Sequence, residues 1–328
     1  MRISTSILQK VATQIGAAVL IEPEYELVGH ITFKNGKKTV FSNTRLNING
    51  FGSSHLASDK AYCNYFLKQF GYKVTEGRTF FNEKICAKIA NPRNIHDGWN
   101  YAQELGFPVI VKPLSMSLGI LVVKVYEKAE YYQVAEKILQ TQSGLIVERF
   151  YSGNDFRILA FDDEVIAAYQ RIPLSVTGDG KSTILELLKE KQEKLSKKGE
   201  KMLIDLEDFR IHQKLQRQNL TFDTVLSPDT LIYLLDNANL SNGGHSVDFT
   251  DSIHPDYQKL AINITKDLGL RLAGVDILTD DITQPLGNYT VIEVNSAPGL
   301  GHYQSLGEAQ LQRVENLYLK VLQTLEQE

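Results

Sequence analysis

The chain has 328 residues, enough for two or three lobes around one site, and a chain of this size buries roughly 75% of its unfolded surface without needing disulfides. Hydrophobic residues make up 43% and charged residues 23%, which excludes wholesale disorder. Lysine and arginine number 35 against 39 acidic residues, a net charge of −4, so no basic excess exists to track a phosphate backbone and no nucleic-acid partner is expected. Cys63 and Cys86 share no metal-ligand spacing with histidines and read as reduced thiols. The opening segment, broken by Gln9, Lys10 and Gln14, reads as an amphipathic helix start rather than a signal peptide. No apolar run approaches the ~20 residues that span a bilayer, so a cytoplasmic protein with no membrane partner is expected.

In chain order, residues 3–18 show helical periodicity through Ile3, Ile7, Val11 and Ile15. Strands at 28–34 and 37–42 flank Asn35-Gly36, the dipeptide favoured by a two-residue type I′ turn. Residues 43–54, rich in Asn, Gly and Ser, read as a loop, and Ser58-Asp59 caps a helix over about 60–70, ended by Gly71. From Val74 to Phe150 the pattern is strand–helix–strand–strand–helix–strand, with strands at 109–111, 119–125 and 145–147 and a helix at 127–140. Strands at 156–161 and 165–172 face each other across Asp162-Asp163. Residues 184–240 turn charged and helical, and 191–201 is nearly all polar, the composition of a solvated helix or mobile loop. A helix at 257–268, strands at 273–278 and 289–295, and a helix at about 306–325 close the chain.

The last strand, Tyr289 to Asn295, alternates faces, so Ile292 and Val294 point one way and Glu293 and Asn295 the other. A mid-strand carboxylate among β-branched residues costs several kcal/mol to bury unless paired or metal-bound. Asp276, within Gly274 to Leu278, poses the same problem. If the two strands are neighbours, Asp276, Glu293 and Asn295 form an all-oxygen cluster suited to Mg²⁺; an ion pair with an arginine is the plainer use. Lys112 ends the apolar strand 109–111 just before Pro113. The loop 114–119 after it carries the hydroxyls of Ser115 and Ser117 and one glycine, Gly119, and such a loop either closes over phosphates or is an ordinary hairpin turn. Glu148 ends another strand, and Asp155 follows seven residues on, where it could accept from ribose hydroxyls.

The order of these residues is the specific feature. Ser58-Asp59-Lys60, Pro108 to Pro113, Val147 to Phe150, Asp155 to Arg157, Val176 to Thr183, Asn239 to Gly244, Asp248 to Asp251, His254-Pro255, Gly274 to Asp276 and Ile292 to Gly299 run in succession. Over about residues 55–325 this succession resembles the ATP-grasp carboxylate–amine ligases, with the ATP-grasp domain of cyanophycin synthetase and the glutathione-synthetase-like ligases nearest. The resemblance implies an α+β ATP-grasp fold in which two α+β lobes sandwich ATP. It implies a reduced N-terminal region at 1–55, an N-lobe at 56–150, and a C-lobe at 151–328 with a charged helical insertion at about 184–240. It further implies that Lys60 and Lys112, with Ser115, Ser117 and Gly119, hold the ATP phosphates, that Glu148, Arg149 and Phe150 take the adenine and Asp155 the ribose, and that Asp276, Glu293 and Asn295 bind Mg²⁺ (two ions, or Mn²⁺ in their place). Arg157, Arg171 and Lys181 are then the cations for the substrate carboxylate or the acyl phosphate.

Three departures bear on that likeness. The phosphate loop carries Met116 and Leu118 where glycine is usual. Gly274 stands where many relatives have an arginine, so Arg157 or Arg171 must supply that charge. Only 59 residues precede Lys60. The insertion reads as a lid or substrate-binding element of mobile composition, and His245 reads as a solvated loop histidine rather than a general base. The expected activity is ATP- and Mg²⁺-dependent joining of a carboxylate to the amine of a small amino acid or peptide. The alternatives are a ligase acting on a ribosomal peptide or polymer end, and a non-catalytic nucleotide-binding subunit. A homo-dimer is expected, because the helix and hairpin at 3–42 look too small to pack alone.

Overall fold

The structure, a computed structural model, describes residues 3–90, 93–115, 119–197 and 204–328. Met116, Ser117 and Leu118 of the expected phosphate loop, and residues 198–203 at the end of the polar stretch, lie outside the described residues. Contacts divide the chain into two compact units, unit 1 (Met1–Val74, Ser152–Gln170, Asp248–Glu328) and unit 2 (Thr75–Tyr151, Arg171–Val247). No helix among the described residues is long and apolar enough to cross a membrane.

In unit 1, helix Ile3–Gln14 buries Ile7, Leu8, Val11 and Ala12 and packs on the C-terminal helix Glu308–Gln327, where Lys10 pairs with Glu315 at 2.6 Å. That helix is therefore covered within its own chain, while the strands that follow leave Leu20, Val28 and Val40 exposed. Strands Ala18–Ile21, Val28–Thr32, Lys38–Ser42 and Arg45–Leu46 form an antiparallel meander. The expected type I′ turn is not formed: of its two central residues only Gly36 has positive φ (83°), and the Phe33 N–H donates to the Lys37 carbonyl. This is a three-residue loop, Lys34 to Gly36, with its glycine in the left-handed position. Residues 43–54 are likewise not all loop, since helix Phe51–Ser58 begins there. Its Gly-Ser-Ser composition hides a helix that tertiary burial of Leu56 and Ala57 holds in place. The next helix, Lys60–Gln69, starts as expected at Asp59, whose carboxylate accepts from the Ala61 and Tyr62 N–H groups at 2.9 and 3.1 Å.

The five-stranded sheet runs His245–Asp248, Glu164–Ile172, Asn154–Phe161, Leu272–Thr279, Tyr289–Asn295, and its last three strands belong to unit 1. One face supplies Phe156, Ile158, Ala273, Val275 and Ile277 to a core completed by Tyr257, Leu260, Ala261 and Ile264 of helix Pro255–Asp267. Burial of each valine, leucine, isoleucine or phenylalanine among them contributes roughly 1.5–3 kcal/mol. The last strand departs from the expected alternation. Asp276 pairs with Glu293 but Ile277 pairs with Val291, so a bulge at Ile292 puts Val291 and Val294, not Ile292 and Val294, into the core.

In unit 2, strands Gly77–Phe81, Gly144–Arg149, Val109–Pro113 and Val123–Val125 form a wholly antiparallel sheet. Helices Ile95–Leu105 and Lys128–Thr141 cover one face, packing Tyr101, Ala102, Tyr131, Val134 and Ile138 on Val109, Val111, Val123, Val125, Leu145 and Val147. The expected strand 119–125 shortens to its last three residues because Gly119 (φ 62°) and Leu121 (φ 55°) are left-handed and make a turn. Residues 184–240 are only partly helical. Helices Ile184–Lys197 and Phe209–Arg217 are followed by strand Leu231–Tyr233, which pairs with Ser175–Thr177, and Leu174, Ile184, Leu188, Ile211, Leu215 and Leu234 share a core.

Candidate active site

Alternation in unit 1 sets the chemistry. With Phe156, Ile158, Val275 and Ile277 turned into the core, the opposite face of the same strands carries Asp155, Arg157, Gly274 and Asp276. Leu272–Thr279 and Tyr289–Asn295 are neighbours, as the cluster required. Asp276 stands opposite Glu293, and Asn295 stands opposite Gly274, two residues along the same face. Asp276 is fully buried, and its two oxygens accept from Arg157 Nε and Nη2 at 2.6 and 2.7 Å. Burial alone would depress the Arg157 guanidinium. The Asp276 carboxylate, with Tyr169 and Glu293 nearby, instead holds it well above its usual value. Lys60, the first residue of its helix, reaches Glu293 Oε1 at 3.0 Å.

The two carboxylates and the Asn295 amide are a hard-oxygen donor set of the kind Mg²⁺ takes together with waters and phosphates. Their charge is already met by Arg157 and Lys60, and no group of three or more His, Cys, Asp or Glu among the described residues could hold a metal. The Asn295 Nδ2 atom is buried without a hydrogen-bond partner, a donor that a phosphoryl oxygen would satisfy. The residues present therefore fit a divalent ion that arrives with a polyphosphate rather than one held by the protein alone.

In unit 2 the helices cover the valine face, so Ile110, Lys112, Lys124, Ile146 and Glu148 occupy the other. Lys112 and Glu148 form a buried pair at 2.7 Å. Gly77, Glu148, Ile110 and Lys124 stand in one row across the four strands, and a Cβ on Gly77 would lie 2.6 Å from Glu148 Cγ. Arg149 points to the opposite side. It donates to Glu76 and to the Leu105 carbonyl, both at 2.9 Å, and so is not brought together with Lys112 and Glu148. Phe150 lies under the Lys124 ammonium, 3.6 Å from its ring centre. Ser115 is exposed at the end of the described strand segment. Arg171 sits near the end of strand Glu164–Ile172. Lys181 is exposed in a turn where its N–H and that of Ser182 bond Asp179, holding that carboxyl down at about 2.

Sequence reasoning missed Lys124 and Arg210. Lys124 carries a signal, since it is a lone charge within Leu121-Val122-Val123-Lys124-Val125, and burial lowers its ammonium below the usual value. Arg210 carries none, because only the three-dimensional fold takes its Nη1 to the Gly119 carbonyl, at 2.9 Å.

Comparison with known proteins gives one family. The model of the RimK-like ATP-grasp domain matches residues 57–212 and 236–312. A cyanophycin synthetase of Geminocystis herdmanii is 35% identical over 270 residues, 78% of this chain and 29% of the relative. One of Synechocystis is 38% identical over 254 residues, 74% of this chain and 28% of the relative. The glutathione biosynthesis bifunctional protein GshAB of Mannheimia succiniciproducens is 28% identical over 310 residues, 91% of this chain and 39% of the relative. The chain thus spans less than a third of the cyanophycin synthetases it matches. The solved bifunctional glutathione synthetase from Pasteurella multocida superposes with a TM-score of 0.61 at 23% identity, over 98% of this chain and 44% of that one, a likeness of fold. With the motif order, the antiparallel sheets and these matches in agreement, the chain has an α+β ATP-grasp fold and belongs to the RimK-like ATP-grasp family.

Proposed function

We propose that this protein is an ATP- and Mg²⁺-dependent ligase that activates a carboxylate as an acyl phosphate and joins it to the amine of a small amino acid or peptide. The observation that carries this reading is the placement of Asp276, Glu293 and Asn295 on one sheet face beside Arg157 and Lys60. A site retired from catalysis has no need of two costly carboxylates there.

In the proposed reaction a substrate carboxylate oxygen attacks the γ-phosphorus, the bond to the β-phosphate oxygen breaks, and ADP leaves. The amine then attacks the acyl carbon, phosphate departs, and the amine nitrogen loses a proton. Bound Mg²⁺ supplies charge neutralisation at the phosphates, the main catalytic demand in phosphoryl transfer. Asp276, Glu293 and Asn295 would hold it. Arg157, fixed by Asp276, keeps a cation at the reacting face, and Lys60 releases part of its hold on Glu293 to meet a phosphoryl oxygen. Lys112 with Ser115, Ser117 and Gly119 takes phosphate, Glu148 and Phe150 the base, and Asp155 the ribose. Arg171 and Lys181 are assigned to the substrate carboxylate.

The test is ADP release with Mg-ATP and pools of amino acids and dipeptides, beside Glu293→Ala. Turnover that needs one pool and is lost in the variant supports the reading. Release of ADP only with a peptide, with a mass change of minus water or plus one amino acid, moves the acceptor to a macromolecule. The absence of turnover with every pool sinks the small-molecule ligase.

A further inference from the structure

Helix Phe209–Arg217, from the segment expected to be a lid or substrate-binding element, is fastened to the sheet half of unit 2. Lys137 lies 3.8 Å over the Phe209 ring, Gln213 bonds Gln133 at 3.0 Å, and Arg217 pairs with Glu130. Arg210 and Arg217 are seven residues apart, two helical turns, and so share a face. Arg217 lies 4.2 Å over the Tyr126 ring, while Arg210 donates to the Gly119 carbonyl at 2.9 Å. The two ends of the helix thus grip the two ends of the stretch 119–126, which contains Lys124.

The grip on Gly119 is a built contact. Asp208 caps the helix by accepting from the Arg210 N–H at 2.9 Å, and the same carboxylate accepts from Arg210 Nε at 2.9 and 3.0 Å, so the guanidinium is aimed before it meets Gly119. Asn237 Nδ2 donates to the same carbonyl at 3.2 Å, and the Val122 N–H does so at 3.3 Å. Only glycine fits there: a Cβ would stand 2.6 Å from Asn237 Nδ2 and 2.9 Å from Asn239 Nδ2 on a residue with φ of 62°.

We propose that Arg210 and Asn237 are positioning residues for the nucleotide phosphates, and that helix Phe209–Arg217 is a strap fixing where the chain leaves the phosphate segment at Gly119. This rests on the nucleotide-binding reading above. Neither residue needs to touch the nucleotide, because both act through the Gly119 carbonyl. The segment 184–240 then serves the phosphoryl donor as well as any substrate it admits.

Calorimetry on the full chain with ATP and with adenosine, beside ATP steady-state kinetics, separates the outcomes. Arg210→Ala is expected to weaken ATP about tenfold, the order for losing a bond from a charged donor, with adenosine affinity unchanged and KM for ATP rising more than kcat falls. Arg210→Lys restores part of the loss. Asn237→Ala, which leaves the Asp208–Arg210 pair intact, weakens ATP about threefold and serves if Arg210→Ala does not fold. Unchanged ATP affinity in both alanine variants overturns the proposal, and so does an equal loss for ATP and adenosine, the mark of general destabilisation. A wild-type chain that binds neither ligand overturns the nucleotide reading itself.

Discussion

The Arg157 side chain lies over Gly274, its Cδ and Nε each 3.4 Å from where a Cβ on that glycine would stand, and from there it forks onto Asp276. A Cβ there would meet the arginine from the next strand in ordinary contact and Pro298 Cβ more tightly, at 3.1 Å. Arg157, one of the two arginines the sequence offered for this charge, has its side chain beside Gly274. Arg157→Ala takes the two-pronged partner from a fully buried carboxylate and is expected to cost about 3–5 kcal/mol, measured by urea unfolding. Arg157→Lys recovers only part of that, since one ammonium cannot make the two-pronged bond. A loss under about 1 kcal/mol in the alanine variant would mean that Asp276 does not depend on Arg157.

Lys112 and Glu148 make the equivalent pair in unit 2. Lys112→Met strips the partner from a buried glutamate and is expected to cost about 3–5 kcal/mol in stability as well as ATP affinity. Gly77→Ala tests the same pocket from the neighbouring strand, because its Cβ would sit 2.6 Å from Glu148 Cγ and 3.0 Å from the Val147 carbonyl. Overpacking of that kind costs about 1–3 kcal/mol. If ATP affinity falls in Lys112→Met while Gly77→Ala leaves it unchanged, Glu148 does not need its present rotamer to serve the nucleotide.

Much of this was legible in the chain because burial leaves a mark on strands. Asp276 and Glu293 stand out as carboxylates among β-branched residues, and Asp59 announces its helix by capping it. The adjacency of the two carboxylate strands was a condition the sequence could state but not settle. Register is set by pairing partners, and the bulge at Ile292 left no local trace that alternation alone could read. Helix Phe51–Ser58 was hidden because Gly, Ser and Ser have weak helix preference and only Leu56 and Ala57 reach the core. Arg149 shows the converse hazard. It adjoins Glu148 in sequence, yet strand alternation sends it to the opposite face, onto Glu76.

Acid should loosen the turn at 178–183 before it unfolds the rest. Hydrogen bonds from the Ser182 and Lys181 N–H groups and the Ser182 hydroxyl lower the Asp179 carboxyl from 3.8 to about 2. A depressed carboxyl contributes stability that is present above its unfolded value and lost as pH falls through the folded one, so the window lies between 3.8 and about 2. Protection of the Lys181 and Ser182 amides, taken relative to intrinsic exchange at each pH, is expected to fall across that window, and Asp179→Asn should remove the step. A step of the same size in the asparagine variant would assign it to another group.

Magnesium without nucleotide should bind poorly. Asp276 has both oxygens on Arg157, and Glu293 is held by Lys60, so a bare divalent ion meets a set whose charge is already balanced. It would have to separate at least one ion pair to gain a ligand, and the buried Asp276–Arg157 pair is the costlier to break. A polyphosphate changes this balance, because its oxygens offer Lys60 and the unmet Asn295 Nδ2 new acceptors while completing the coordination of the ion. Titration of the protein with Mg²⁺ alone is therefore expected to show no saturable heat below about millimolar concentration, and the same titration with ATP present to show binding. Glu293→Gln should abolish the second signal while leaving adenosine binding intact. Saturable micromolar binding of Mg²⁺ to the bare protein would show that the carboxylates are not committed to Arg157 and Lys60 in solution.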